Sequence, residues 1–220
     1  MRHKPIKSKL FSENRKRLTA QMAPKALAVV NANDVLPTNA DGTLPMQPNA
    51  DLFFLSGIEQ EESILVLFPD AADEKQREIL FVREPNEHLQ IWEGYKHSKP
   101  DARKISGIKN VQWLSEFPVI FRSLMCEAES AYLNSNEYKR AHVEVETRDV
   151  RFIKQCQADF PLHTYRRLAP LLHELRVVKT DLEIELLKEA VDITAKGFRR
   201  TLRFVKPGVA EYEVEAELAR

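Results

Sequence analysis

His173 and Glu174 begin the pattern that sets two histidine ligands four positions apart on a helix with a carboxylate beside the first. Val177 stands where the second ligand is needed. The other histidines, His3, His88, His97, His142 and His163, form no pair at that spacing. Metal-assisted chemistry therefore has no legible ligand set in the 220 residues. No Gly-x-Ser-x-Gly elbow occurs, and neither Cys126 nor Cys156 stands in the context of a nucleophile. Six isolated glycines allow neither a phosphate loop nor a dinucleotide fingerprint. The carboxylate clusters, Glu59, Glu61 and Glu62 or Glu183, Glu185 and Glu189, read as solvated faces.

Composition narrows the field further. Hydrophobic residues at 43% and charged residues at 30% are the balance of an ordinary globular chain. Lysine plus arginine and aspartate plus glutamate both count 33, so no global field draws the chain to nucleic acid. The basic start, Met1 to Leu10, lacks an apolar core segment, and Ile64 to Phe68 is far too short to span a bilayer. No membrane partner is expected. Cys126 and Cys156 read as two buried reduced thiols, which with the lack of Asn-x-Ser/Thr sequons leads to an expected cytoplasmic location.

The elements that must carry any site follow from periodicity. Leu10, Phe11, Leu18 and Met22 predict a first helix closed by Pro24, and ALAVVN (Ala26 to Asn31) a buried strand. Ala32 to Ala50 is a polar loop. Ser63 to Phe68 and Ile79 to Val82 predict neighbouring strands. Ser98 caps a short helix that Gly107 ends, followed by a strand near Val111 to Trp113, a helix from Ser115 to Glu127 and a strand at Ala131 to Asn134. A helix from Glu146 to Gln157 comes next, and Pro170 bends or starts whatever helix forms between Arg166 and Arg176. Strands alternating with helices make the fold class α/β. Thr180 to Glu183 is a capping box that opens a long amphipathic helix, stopped by Pro207-Gly208. A last helix from about Ala210 is still running at Arg220, which reads as a chain cut from something longer. The uncovered apolar face of the long helix opened by Thr180, made of Ile184, Leu187, Val191 and Phe198, predicts self-association. The domains divide as 1–176 and 177–220.

Three segments carry a family likeness. Asn49 to Gly57 (NADLFFLSG) resembles the N-S-D-F-x-Y-L-T-G signature of the amino-terminal domain of aminopeptidase P and its prolidase and creatinase relatives. Ile91 to Gly94 (IWEG) resembles the I-W-x-G element that follows. Pro170 to Glu185 resembles the linker P-x-x-H-E-x-R-x-x-K-S-x-x-E-I, and Lys206-Pro-Gly208 followed by Glu211 also matches. Met46, Gln47 and Pro48 depart from the family, which has an aromatic and an arginine there.

The resemblance implies a creatinase-type amino-terminal domain with a mixed sheet flanked by helices, followed by the first helices of a truncated pita-bread catalytic domain. It implies a metal-dependent Xaa-Pro aminopeptidase, usually with two manganese ions held by residues downstream of this chain, acting on peptides with proline at the second position. Catalytic and metal residues are then expected outside these 220 residues, and a homo-oligomer is expected. Within the chain it makes Trp92 a candidate for lining the mouth of an active site, against the alternative of simple packing. Arg148 and Arg151 are weaker candidates for a substrate-facing arginine, and the resemblance allows that neither is one. The rival readings are a non-catalytic pseudo-peptidase that binds proteins with the same fold, and a creatinase-like hydrolase of small C–N substrates.

Overall fold

The computed structural model describes residues 5–86, 91–140 and 143–219. Met1–Val177 and Val178–Arg220 form two compact units.

The first unit is built on a six-stranded sheet: β1 (Ala26–Asn31), β2 (Ile64–Leu67), β3 (Glu78–Val82), β4 (Asn110–Trp113), β5 (Ser130–Leu133) and β6 (Thr164–Arg167), in spatial order β4-β3-β2-β1-β5-β6. Only β2 runs antiparallel to its neighbours; the other pairings are parallel. The sheet is therefore mixed and flanked by helices, as the family resemblance implied. Every residue of β1 is buried, which is why ALAVVN shows no polar alternation: both faces of this strand are covered.

Period-two alternation sorts the core. Ala26, Ala28 and Val30 meet Leu18, Leu52, Leu55, Ala102 and Leu172 on one face. These come from α1 (Ser8–Thr19), α2 (Ala50–Ser56), α3 (Lys99–Ser106) and α6 (Ala169–Val177). Leu27 and Val29 meet Phe121, Leu124, Met125 and Cys156 on the other, from α4 (Phe117–Glu127) and α5 (Arg148–Asp159).

The two short helices α2 and α3 end alike. Ser56 and Ser106 each bond the carbonyl four residues back and accept from the amide two residues on, and Gly57 and Gly107 take left-handed backbone. At Gly57 a Cβ would lie 2.4 Å from the Phe11 ring, so glycine is required by space as well as by φ. Arg15, only 1% exposed, donates through Nη1 to Leu55 O (2.8 Å) and Ser106 O (3.0 Å) and pairs through Nη2 with Glu78 (3.1 Å). One cation thus closes the carboxyl ends of two helices.

Four expectations need correction. α2 is a helix the sequence reading did not assign. β6 was not assigned, although the helix expected around Pro170 follows it as α6; the four residues of β6, TYRR, are largely exposed on the sheet edge and carry no apolar run. Leu114–Glu116 forms a separate 3₁₀ turn before α4. Cys126 is exposed, because it falls on the solvent side of α4, while Cys156 is buried and burial pushes its thiol up to about 12.

The second unit holds α7 (Asp181–Phe204) and α8 (Glu211–Ala219). The capping box at α7 is present, with both Thr180 and Glu183 bonded reciprocally. Ile184, Leu187, Val191 and Phe198 are all exposed, between 38% and 64%. Among the described residues no helix is long and apolar enough to cross a membrane.

Candidate functional site

Because β1, β3 and β5 run parallel, their carboxyl ends share one edge of the sheet, and β2 begins there. The described residues after β1 (32–49), β3 (83–86 and 91–98) and β5 (134–140 and 143–147) gather on that edge. The chain leaves β1 through α2 on one face and leaves β5 through α5 on the other. The crevice between two such strands is where α/β sheets bind ligands. A cleft of about 740 Å³ opens there, lined by the 32–49 loop, the start of α5 and the residues following β5.

The NAD start of the first family segment builds one wall. Asn49 caps α2, accepting from the amides of Asp51 and Leu52 at 3.0 Å each, and donates to Asn33 at 2.9 Å. Asp51 receives Asn134 Nδ2 at 3.0 Å and Arg176 Nη1 at 2.8 Å. The segment therefore ties the loop after β1 to the end of β5 and to α6. Its side chains act in this tie and in the core, where Leu52 and Leu55 are buried.

Arg148 and Arg151 lie in the first turn of α5, capped by Thr147. Asp34 accepts the Arg148 amide at 2.8 Å through Oδ2 and pairs with the Arg151 guanidinium through Oδ1. Arg148 Nη2 donates to the Glu62 carbonyl at 3.2 Å, and burial lowers its basicity. Arg151 also donates to Glu146 O at 2.7 Å and is half exposed. Between them Asp149 accepts from Asn31 Nδ2 at 3.0 Å. Burial is the main cause that pushes its carboxyl up to about 6; Asp51 and Asp34 push the same way, and the Asn31 bond and Arg148 oppose. Asn134 is nine-tenths buried, and its Oδ1 has no hydrogen-bond partner.

Trp92 is on the same edge but does not line the cleft. Residues 91–93 form a helical turn in which Ile91 and Trp92 are each 75% exposed. Gly94 follows with φ +80 and open space around it. The turn is anchored by Glu93, which pairs with Arg83 at 2.8 Å, and by buried Lys96, which pairs with Glu61 at 2.6 Å. The structure thus gathers Trp92, Arg148 and Arg151 on one edge without closing them into a single pocket. Sequence reasoning missed Asp34, Asp149 and Asn134; only the neighbourhood of Asp149 to the two arginines pointed to the first turn of α5. Among the described residues no group of three His, Cys, Asp or Glu side chains could hold a metal ion.

Residues 11–133 match the family described as Aminopeptidase P, N-terminal domain. The chain is 27% identical over 209 residues to the Xaa-Pro aminopeptidase of Escherichia coli, covering 94% of this chain and 47% of that protein. It is 24% identical over 209 residues to the Xaa-Pro aminopeptidase of Haemophilus influenzae. The solved structure of E. coli aminopeptidase P with the inhibitor Pro-Leu superposes with a TM-score of 0.77 at 26% identity, over 98% of this chain and 49% of that one. The same E. coli protein has been solved with zinc substituted and product bound. Pseudomonas aeruginosa aminopeptidase PepP shares the fold with a TM-score of 0.80. The chain spans about half the length of these relatives. With more than half its residues inside that match, the chain belongs to the aminopeptidase P amino-terminal domain family.

Proposed function

We propose that this chain is the amino-terminal half of a metal-dependent Xaa-Pro aminopeptidase, which removes the amino-terminal residue of a peptide whose second residue is proline. The observation that carries the reading is the match to the E. coli Xaa-Pro aminopeptidase over 94% of the chain. Residues 1–176 form the creatinase-type domain, and 177–220 begin the pita-bread catalytic domain. The metals, two divalent ions and manganese by the family resemblance, belong to that further part of the polypeptide. The described side chains here do not fit a metal, and no step of hydrolysis is assigned to them. When bound, such ions activate a water toward the carbonyl before proline.

The present domain then serves substrate access from its carboxyl edge. Trp92 offers a large flat apolar face suited to a proline ring, and Arg148 or Arg151 offers a cation to a peptide's carbonyls or carboxylate. The exposed face of α7 is read as a packing surface for the missing part and for assembly into a homo-oligomer, in the cytoplasm. The test is a peptide series on the full-length polypeptide with manganese. Release of the first residue is expected from peptides with proline second and not from their alanine counterparts. Equal cleavage of both, or of neither, contradicts the reading.

A further inference from the structure

The geometry points to Glu62 as a positioning residue that holds the Trp92 turn in register with the arginine-lined cleft; this deepens, and rests on, the substrate-access reading above. Glu62 occupies the turn into β2 with φ +58, a left-handed backbone that glycine takes freely and a glutamate does not. Such positions persist where their surroundings fix them, and they concentrate at working sites. Two contacts leave Glu62, one from its carbonyl and one from its carboxylate. Its carbonyl accepts Arg148 Nη2 at 3.2 Å, at the cleft. Its carboxylate meets Arg83 Nε at 3.4 Å, and Arg83 Nη1 reaches Glu93 at 2.8 Å, one residue from Trp92. Glu61 and Lys96 brace the same cluster, Lys96 to Glu61 at 2.6 Å and to Glu93 at 3.4 Å.

The link is directional more than cohesive. The Arg83 and Glu62 side chains are 27% and 47% exposed, so their pairing adds little to stability. It adds a third carboxylate to the two that already hold Arg83, Glu61 at 3.4 Å and Glu93 at 2.8 Å, and takes the Nε side of the guanidinium, so that Arg83 orients Glu93 and the turn bearing Trp92. Truncating the Glu62 side chain releases this arm while leaving the carbonyl for Arg148.

Two measurements test it. In the 220-residue chain Trp113→Phe leaves Trp92 as the single tryptophan. Glu62→Ala in that background should enlarge the fast component of Trp92 anisotropy decay, with an unchanged unfolding midpoint, and Glu62→Gln should fall between. An unchanged decay overturns the proposal. In the full-length enzyme Glu62→Ala should raise KM for a Xaa-Pro peptide about fivefold with kcat within about twofold, and this effect should vanish when Trp92 is already alanine. A KM effect of equal size without Trp92 overturns it too. If Trp92→Ala alone leaves KM unchanged, the substrate reading of Trp92 fails, and the anisotropy decides whether Glu62 holds the turn.

Discussion

Asp149 shows what one residue gains and loses by sitting at a crevice. Its folded carboxyl titrates near 6 against an ordinary value of 3.8, chiefly because it is buried. Between about pH 4 and pH 6 the folded chain holds a proton that the unfolded chain has released, so stability falls as pH rises through that window. A shift of this size corresponds to at most about 3 kcal/mol. Asp149→Asn keeps an acceptor for Asn31 and should stabilise the protein by about 1–2 kcal/mol at pH 7.5. It should also flatten the decline between pH 4 and 6, as read by urea unfolding at several pH values. Loss of stability at pH 7.5 would mean the charge is needed there. Nothing in the sequence announces this residue. Its environment is made by Asn31, Asp34 and Asp51, which are distant in the chain and meet it only when β1, α2 and α5 assemble. Trp92 was singled out for the opposite reason: the Ile91 to Gly94 segment carries its family likeness in four consecutive residues, visible without any tertiary contact.

At the scale of elements, Arg15 joins three of them. It closes the ends of α2 and α3 and pairs with β3 through Glu78. Arg15→Met should cost about 3 kcal/mol or more, since it leaves two buried carbonyls without a donor. Arg15→Lys should recover only part, because an ammonium cannot span three acceptors as a planar guanidinium does. Urea unfolding of the three proteins checks both; a cost below about 1 kcal/mol for Arg15→Met would contradict this role. Elements with strong local signals were legible: β1 by its unbroken apolar run, α3 by Ser98 and Gly107, α7 by its capping box. α2 escaped because seven residues show barely two turns of period, and β6 because an exposed edge strand needs no apolar pattern.

At the scale of the whole molecule, the carboxyl edge of the sheet carries two arginines at its crevice and, outside that crevice, an exposed tryptophan, while the described residues assemble no metal-ligand set. The proposed function divides labour within one polypeptide: substrate handling on this chain, metals and hydrolysis on the remainder. The alternative of a binding protein with the same fold shares the first half of that division and lacks the second. Calorimetric titration with manganese, run in parallel on the 220-residue chain and on the full-length polypeptide, separates them. The account predicts no tight binding to the 220 residues and two tight sites in the full-length protein. A stoichiometric site of micromolar or better affinity in the 220 residues, or none in the full-length protein, would contradict it.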